Sequence, residues 1–334
     1  MEILVNTYRG NIVDLFTTGS VAVVDYKGKL LYSAGNPEQI AYMRSSAKLM
    51  QAMVPMTLGV CNAYNFTDME IAQICASHSG EEIHVNTVRS ILNKAGLDES
   101  YLQCGAHYPF KADITEKMKK NDEEALQIHN NCSGKHSGML ATVKYMNEDL
   151  ATYYKVEHPH QKRILKMISE ICEYPEEKIE IGLDGCGVPV HAMPLKDFAY
   201  GMARMSHPES LGEKLAPSAE KIMKSCLANP LNMSGSDRID YKIMSKYPGR
   251  IVVKVGSNGY FTAAIPEMGI GVAVKVDDGK TQSDNIVLLE TLRQIGFIPE
   301  SDLEYFADDI KPMVYNHKKE LAGYSEAVFT LKKY

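Results

Sequence analysis

The stretch NNCSGKHSG, residues 130–138, sets a thiol, an amine and an imidazole within five positions: Cys132, Lys135 and His136. A thiolate–imidazole pair is a familiar nucleophile, and at i and i+4 the two could meet on one helical turn. Soft ligands near a histidine equally suit a metal ion such as zinc. A second cysteine, Cys186, stands in another glycine-rich polar loop, DGCGVP, which begins at Asp184. A third reading is a glycine-rich turn with polar decoration. The stretch alone leaves all three open.

Three further motifs carry chemistry. Arg44-Ser45-Ser46-Ala47-Lys48 opens a helical run, and Ser45 and Lys48 stand at i and i+3 on one face. A neutral lysine there can take the serine proton, and a helix N-terminus favours the developing alkoxide. CASHSG, residues 75–80, offers Ser77 at the end of a second helix. Lys254 interrupts the strand-like run IVVKVG, where a buried lysine needs compensation. Singly each is weak, since S-x-x-K arises often by chance and Lys254 could simply face water. In order they follow the β-lactamase and penicillin-binding-protein arrangement of S-x-x-K, S-x-N loop and K-T-G strand. Here Ser-His-Ser and Lys-Val-Gly take the second and third places. Two lysines near one serine repel each other, which lowers a lysine pKa and frees a base.

These residues need elements to hold them. The first 35 or so positions read as strands, with a hairpin around Lys27-Gly28. A helical block follows from about Ser45 to about Arg163, and Ile164, Met167, Ile168 and Ile171 continue it as one apolar helical face. Strand character returns in RIVVKVG, YFTAAIP and GIGVAVKVDDG, an antiparallel meander turning at Ser257-Asn258-Gly259. TQSDNIVLLETLRQIG reads as a helix and EAVFTL as a last edge strand. The expectation is a single α+β unit over residues 1–334. Its sheet subregion covers about 1–40 and 250–334, and its mainly helical subregion about 41–249.

Composition narrows the function classes. With 45% hydrophobic residues and a net charge of −6, the chain can bury a sizeable core and has no electrostatic call on nucleic acid or an anionic membrane. No apolar run approaches the roughly 20 residues that span a bilayer, and MEILVNTYRGN lacks the pattern of a signal peptide. Seven cysteines without framework spacing point to a reducing, cytoplasmic setting.

RSSAKLMQ, CASHSGE, HNNCSGKHSGML, GLDGCGVPVHAMPL and VVKVGSNGYFTAAIPEMGIGVAVKVDDG together resemble the Rhizobium etli-type L-asparaginases, the class 3 or asparaginase II family. The likeness runs over essentially the whole chain. It implies a serine β-lactamase/penicillin-binding-protein-like fold and a homodimer that hydrolyses L-asparagine to L-aspartate and ammonia. By motif position it places serine–lysine tandems on Ser45 with Lys48 and on Ser77 with Lys254. Zinc ligands fall on Cys132, Lys135 and Cys186, and substrate contacts on Arg44, His136 and Asp184. One departure stands at 236–241, where SDRIDY replaces a segment that bears a further active-site cysteine in the family. Rival readings are a glutaminase or broader small-amide amidase, and a non-catalytic zinc or thiol sensor.

Overall fold

The computed structural model describes residues 2–334. Its strands, in chain order, are β1 (Glu2–Arg9), β2 (Ile12–Asp25), β3 (Leu30–Ala34), β4 (Ile40–Tyr42), β5 (Glu180–Leu183), β6 (Pro189–Pro194), β7 (Val252–Val255), β8 (Tyr260–Ile265), β9 (Ile270–Val276), β10 (Met313–Tyr315), β11 (Leu321–Ala327) and β12 (Lys332–Lys333). The large sheet runs β10-β11-β1-β2-β9-β8-β7, with β3 bridging β2 and β12. Every pairing in it is antiparallel. Its strands come from the two ends of the chain, and most of the helices lie between those ends in sequence. The α+β architecture is the expected one.

The meander forms as its pattern requires. Asn258 and Gly259 both take positive φ, 61° and 74°, which is the backbone a tight hairpin between β7 and β8 needs. β8 is buried throughout and β9 everywhere except Lys275. The helices Leu195–Ser206 and Thr281–Gln294 both pack on these strands. Burial on both faces is why this stretch reads as nearly continuous apolar residues rather than alternating ones. It also means that Lys254, 0% exposed, does not face water.

Three details differ from the sequence expectation. The stretch 41–249 is not helical alone, because β4, β6 and β5 make a second, three-stranded sheet within it. These strands are short, and their prolines and glycines masked the period. EAVFTL is not an edge strand: β11 ends at Ala327 and lies between β10 and β1. The residues after it turn away, and only Lys332–Lys333 pair again, with β3. Finally, Ser45 sits in a 3₁₀ turn, Arg44–Ala47, one step before the α-helix Lys48–Thr57 begins.

That helix is central to the helical layer. Residues Lys48 to Pro55 are all buried, against the helices Ser133–Tyr145, Pro159–Cys172 and Gly212–Ala228. A helix enclosed all round must be rich in small and flexible apolar residues, as LMQAMVPM is. Among the described residues no helix is long and apolar enough to cross a membrane.

Candidate active site

Four short backbone contacts bring the motifs together. Ser46 Oγ donates to the Lys254 carbonyl at 3.0 Å, fixing the turn that carries Ser45 to β7. Ser77 N–H donates to the Met233 carbonyl at 3.0 Å, and Ser79 N–H to that of Ser234 at 2.8 Å. His78 N–H donates to the Asn131 carbonyl at 3.2 Å, so the CASHSG loop also holds the segment before Cys132. The buried His78 ring then pairs through Nε2 with Ser133 Oγ at 2.8 Å, at the start of the helix Ser133–Tyr145. That helix presses on the helix Asp68–Ile74, and a Cβ at Gly134 would run into the Gln73 carbonyl oxygen. The glycines of NNCSGKHSG are therefore packing residues.

The result centres on Ser77. Its Oγ lies 3.0 Å from Lys48 Nζ and 2.8 Å from Lys254 Nζ. Both lysines are enclosed, 1% and 0% exposed. Burial pushes the Lys48 amine below its ordinary value, opposed by Cys132 and reinforced by Lys135. Lys254 is driven well below its ordinary value, by burial first and by the Lys48 charge second. The Lys254 amine, which holds its proton less tightly than an ordinary lysine, is therefore within reach of the Ser77 hydroxyl.

The i, i+3 spacing of Ser45 and Lys48 does not make them a hydrogen-bonded pair. Lys48 Nζ turns instead to the Ala76 carbonyl at 2.6 Å, to Ser77 and to Cys132 Sγ at 3.2 Å. With the 3₁₀ turn ending at Ala47, the geometry of a continuous helix does not apply across this span. Arg44 carries a positive φ of 51°, a strained conformation for a residue with a side chain. Ser45 nevertheless lines the same cavity as Ser77, a space of about 520 Å³ that also touches Asn131, Arg238 and Asn258.

Behind this wall lies the thiol cluster. The Cys132 and Cys186 thiols interact, and Lys135 Nζ is 3.0 Å from Cys186 Sγ. The Cys132 thiol, aided by the Lys135 charge, pulls Cys186 down to about 5 against burial, while Cys132, facing Cys186 and buried, is pushed up to about 12. Burial opposes the charge on Lys135, yet Cys186, Cys132 and Asp184 outweigh it and hold the ammonium above its ordinary value. His136 is neutral, burial lowering it to about 3. Its Nδ1 is 2.6 Å from Tyr153 Oη, and its Nε2 is buried without a partner.

Arg44 and Asp184, expected at the substrate, form an ion pair with each other at 3.0 Å and do not line the cavity. Asp184 also approaches Lys135 at 4.0 Å. The cavity instead exposes Asp237 and Arg238, from the very segment that departs from the family pattern, and no spacing in the sequence pointed to them.

Two sulfurs and a lysine nitrogen, beside an unpartnered imidazole nitrogen, form a donor set whose chemistry fits zinc. The lysine would have to lose its proton. Among the described residues no group of three or more His, Cys, Asp or Glu side chains is placed to hold a metal, so a set of this kind depends on Lys135.

Among solved structures, the chain is similar to an octameric penicillin-binding protein homologue from Pyrococcus abyssi, at 16% identity over 90% of this chain and 79% of that one, with a TM-score of 0.43. It is also similar to a β-lactamase from Mycobacterium bovis, at 12% identity over 86% and 94%, TM-score 0.42. A D-alanine carboxypeptidase from Burkholderia cenocepacia matches at 12% identity over 83% and 94%, TM-score 0.39. No curated protein matches the sequence. The sequence model of the L-asparaginase II family matches residues 5–327, and this chain belongs to that family.

Proposed function

We propose that this protein is an amidohydrolase that releases ammonia from L-asparagine by serine acyl transfer. The observation that carries this reading is the placement of Ser77 Oγ between Lys48 and Lys254, at 3.0 and 2.8 Å, on the wall of an open cavity.

A serine hydroxyl attacks an amide only when a base accepts its proton. Lys254, driven toward its uncharged form by burial and by the neighbouring Lys48, accepts the Ser77 proton as Oγ bonds to the side-chain carboxamide carbon. The carbonyl π bond opens to an oxyanion. When the carbonyl re-forms, the C–N bond breaks, and the Lys254 proton leaves with the nitrogen as ammonia. Water, deprotonated by the same amine, then attacks the ester. Its collapse returns a proton to Ser77 Oγ and frees aspartate. Lys48 steadies the serine oxygen throughout. Ser45 remains a second hydroxyl on the cavity wall with no base in hydrogen-bond range.

Cys132, Lys135 and Cys186 would hold a zinc ion, with Asp184 and His136 beside it. Bound there, zinc would supply Lewis acidity and a positive charge behind Lys48. The serine chemistry above is carried by protein groups. The finer reading also includes a homodimer, which sedimentation of the purified protein tests.

The deciding experiment is ammonia release from L-asparagine and from L-glutamine by the purified enzyme. Faster turnover of asparagine supports the reading. A preference for glutamine makes the protein a glutaminase of the same chemistry, and inactivity toward both and toward simple amides removes the amidohydrolase assignment.

A further inference from the structure

The cavity beside Ser77 needs a group that tells an amino-acid amide from any other amide, and the expected residues do not supply it. Arg44 is committed to Asp184 and lies off the wall. Among the described residues that form the wall, Arg238 is the single cation and Asp237 the single anion. That pair matches the opposite charges of an amino acid's own α-groups.

Arg238 is unusually free for an arginine in a cleft. Its side chain is 22% exposed, and its guanidinium has one ion-pair partner, Asp240 Oδ1, at 3.6 Å from Nε. That is longer than a charge-assisted hydrogen bond. Asp240 is itself 1% exposed and already bonded to Ser234 Oγ, so it anchors the inner side of Arg238; the buried Asp284 adds a second negative charge nearby, and no hydrogen bond holds the terminal nitrogens. A planar guanidinium with free terminal N–H groups binds a carboxylate through two parallel hydrogen bonds.

The position of Arg238 is tied to the reacting serine. The backbone just before it, Met233 and Ser234, accepts the N–H groups of Ser77 and Ser79. Gly235 packs so closely on Ser79 that a Cβ would collide with its hydroxyl. Ser236 is held through its N–H and its hydroxyl by Glu81, at 2.8 and 3.1 Å. Lys111 adds a contact to Ser236 Oγ at 2.9 Å. A segment fastened at successive residues to the CASHSG loop keeps a fixed offset between Arg238 and Ser77, and such an offset measures substrate length.

We propose that Arg238 is the α-carboxylate clamp of the site, a specificity residue that seats an α-amino-acid amide with its side-chain amide at Ser77. This deepens, and rests on, the amidohydrolase reading.

The test compares L-asparagine with L-asparaginamide, whose α-carboxylate is capped, following products by chromatography. Loss of a charged hydrogen-bond pair in Arg238→Met should raise KM for L-asparagine on the order of tenfold or more, with KM for L-asparaginamide changed less than about twofold. Arg238→Lys should fall between, because a point charge replaces the fork. An equal rise for both substrates, or an unchanged KM for asparagine, overturns the clamp. Calorimetry with L-aspartate reads the same contact without turnover. Should the wild type prove inactive, aspartate binding that disappears in Arg238→Met still supports the clamp while the amidohydrolase reading falls. Aspartate binding absent from the wild type, or undiminished in the variant, overturns the clamp.

Discussion

Lys48 Nζ lies 3.0 Å from Ser77 Oγ, a residue 29 positions away, and makes no hydrogen bond to Ser45 three positions before it. The same nitrogen reaches Cys132 Sγ at 3.2 Å. One buried amine therefore joins the serine cavity to the thiol cluster.

The first consequence concerns the nucleophile. Ser77→Ala should lower kcat by about three orders of magnitude or more, the scale seen when a covalent nucleophile is removed. Ser45→Ala should cost less, since its hydroxyl has no base beside it. Mass spectrometry of enzyme quenched during turnover should place the acyl mass on the peptide that contains Ser77. An acyl group on Ser45 would reverse the order.

Activity should rise with pH. The folded-state values of Lys48 and Lys254 are both lowered, so the proton that must be absent for catalysis leaves below the ordinary lysine range. The profile of kcat/KM should climb to a plateau with an apparent pKa belonging to the coupled pair. A flat profile through the neutral and alkaline range, with chemistry limiting, would count against a lysine base.

Replacing Lys254 by methionine should abolish turnover and stabilise the fold. The side chain is wholly buried, and exchanging a buried amine for an apolar group of similar volume removes a desolvation cost of about 1 kcal/mol or more. The sign with pH follows from the lowered folded value. Below the unfolded pKa the unfolded chain holds a proton that the folded one lacks, so the wild type loses stability as pH falls. The advantage of Lys254→Met should therefore grow as pH falls toward the depressed pKa and then level off, as read from Tm against pH. A lower Tm across that range would contradict this account.

Zinc should bind with release of protons, because Lys135 and Cys132 are protonated in the metal-free protein. Calorimetry in buffers of different ionisation enthalpy counts those protons. Cys132→Ser should weaken zinc binding and raise KM while leaving measurable kcat. Complete loss of turnover in a folded, zinc-loaded Cys132→Ser protein would restore a cysteine nucleophile.

Gly134→Ala should destabilise the protein by about 1–3 kcal/mol, the usual cost of overpacking a tight contact. The Gln73 carbonyl leaves no room for a Cβ, and the displaced helix start carries Lys135 away from Cys186. Denaturant unfolding measures the loss. Unchanged stability would show that the two helices can separate freely.

Much of this molecule was legible in its residues. The meander over β7, β8 and β9, the hairpin at Gly28 and the helices at 159–172 and 281–294 follow from periodicity and turn chemistry, which are local. The residues that meet around the cavity and the thiol cluster, Ser45, Lys48, Ser77, Cys132, Lys135, Cys186 and Lys254, also stood out, because serines, lysines and cysteines in glycine-bearing motifs differ from a core pattern. β4, β5 and β6 were not legible, being too short to show a period, and neither was the inner position of β11.

Partners were decided only by tertiary structure. Helical spacing gave Lys48 to Ser45, but the 3₁₀ turn at Arg44–Ala47 and the approach of the CASHSG loop gave it to Ser77. Motif position sent Arg44 and Asp184 to the substrate, yet the fold paired them with each other and brought Arg238 to the cavity. The physical reason is one of range. Residue type and spacing set which groups can react and which local elements form, but burial, charge and hydrogen-bond partners are assigned by chain segments tens to hundreds of residues apart.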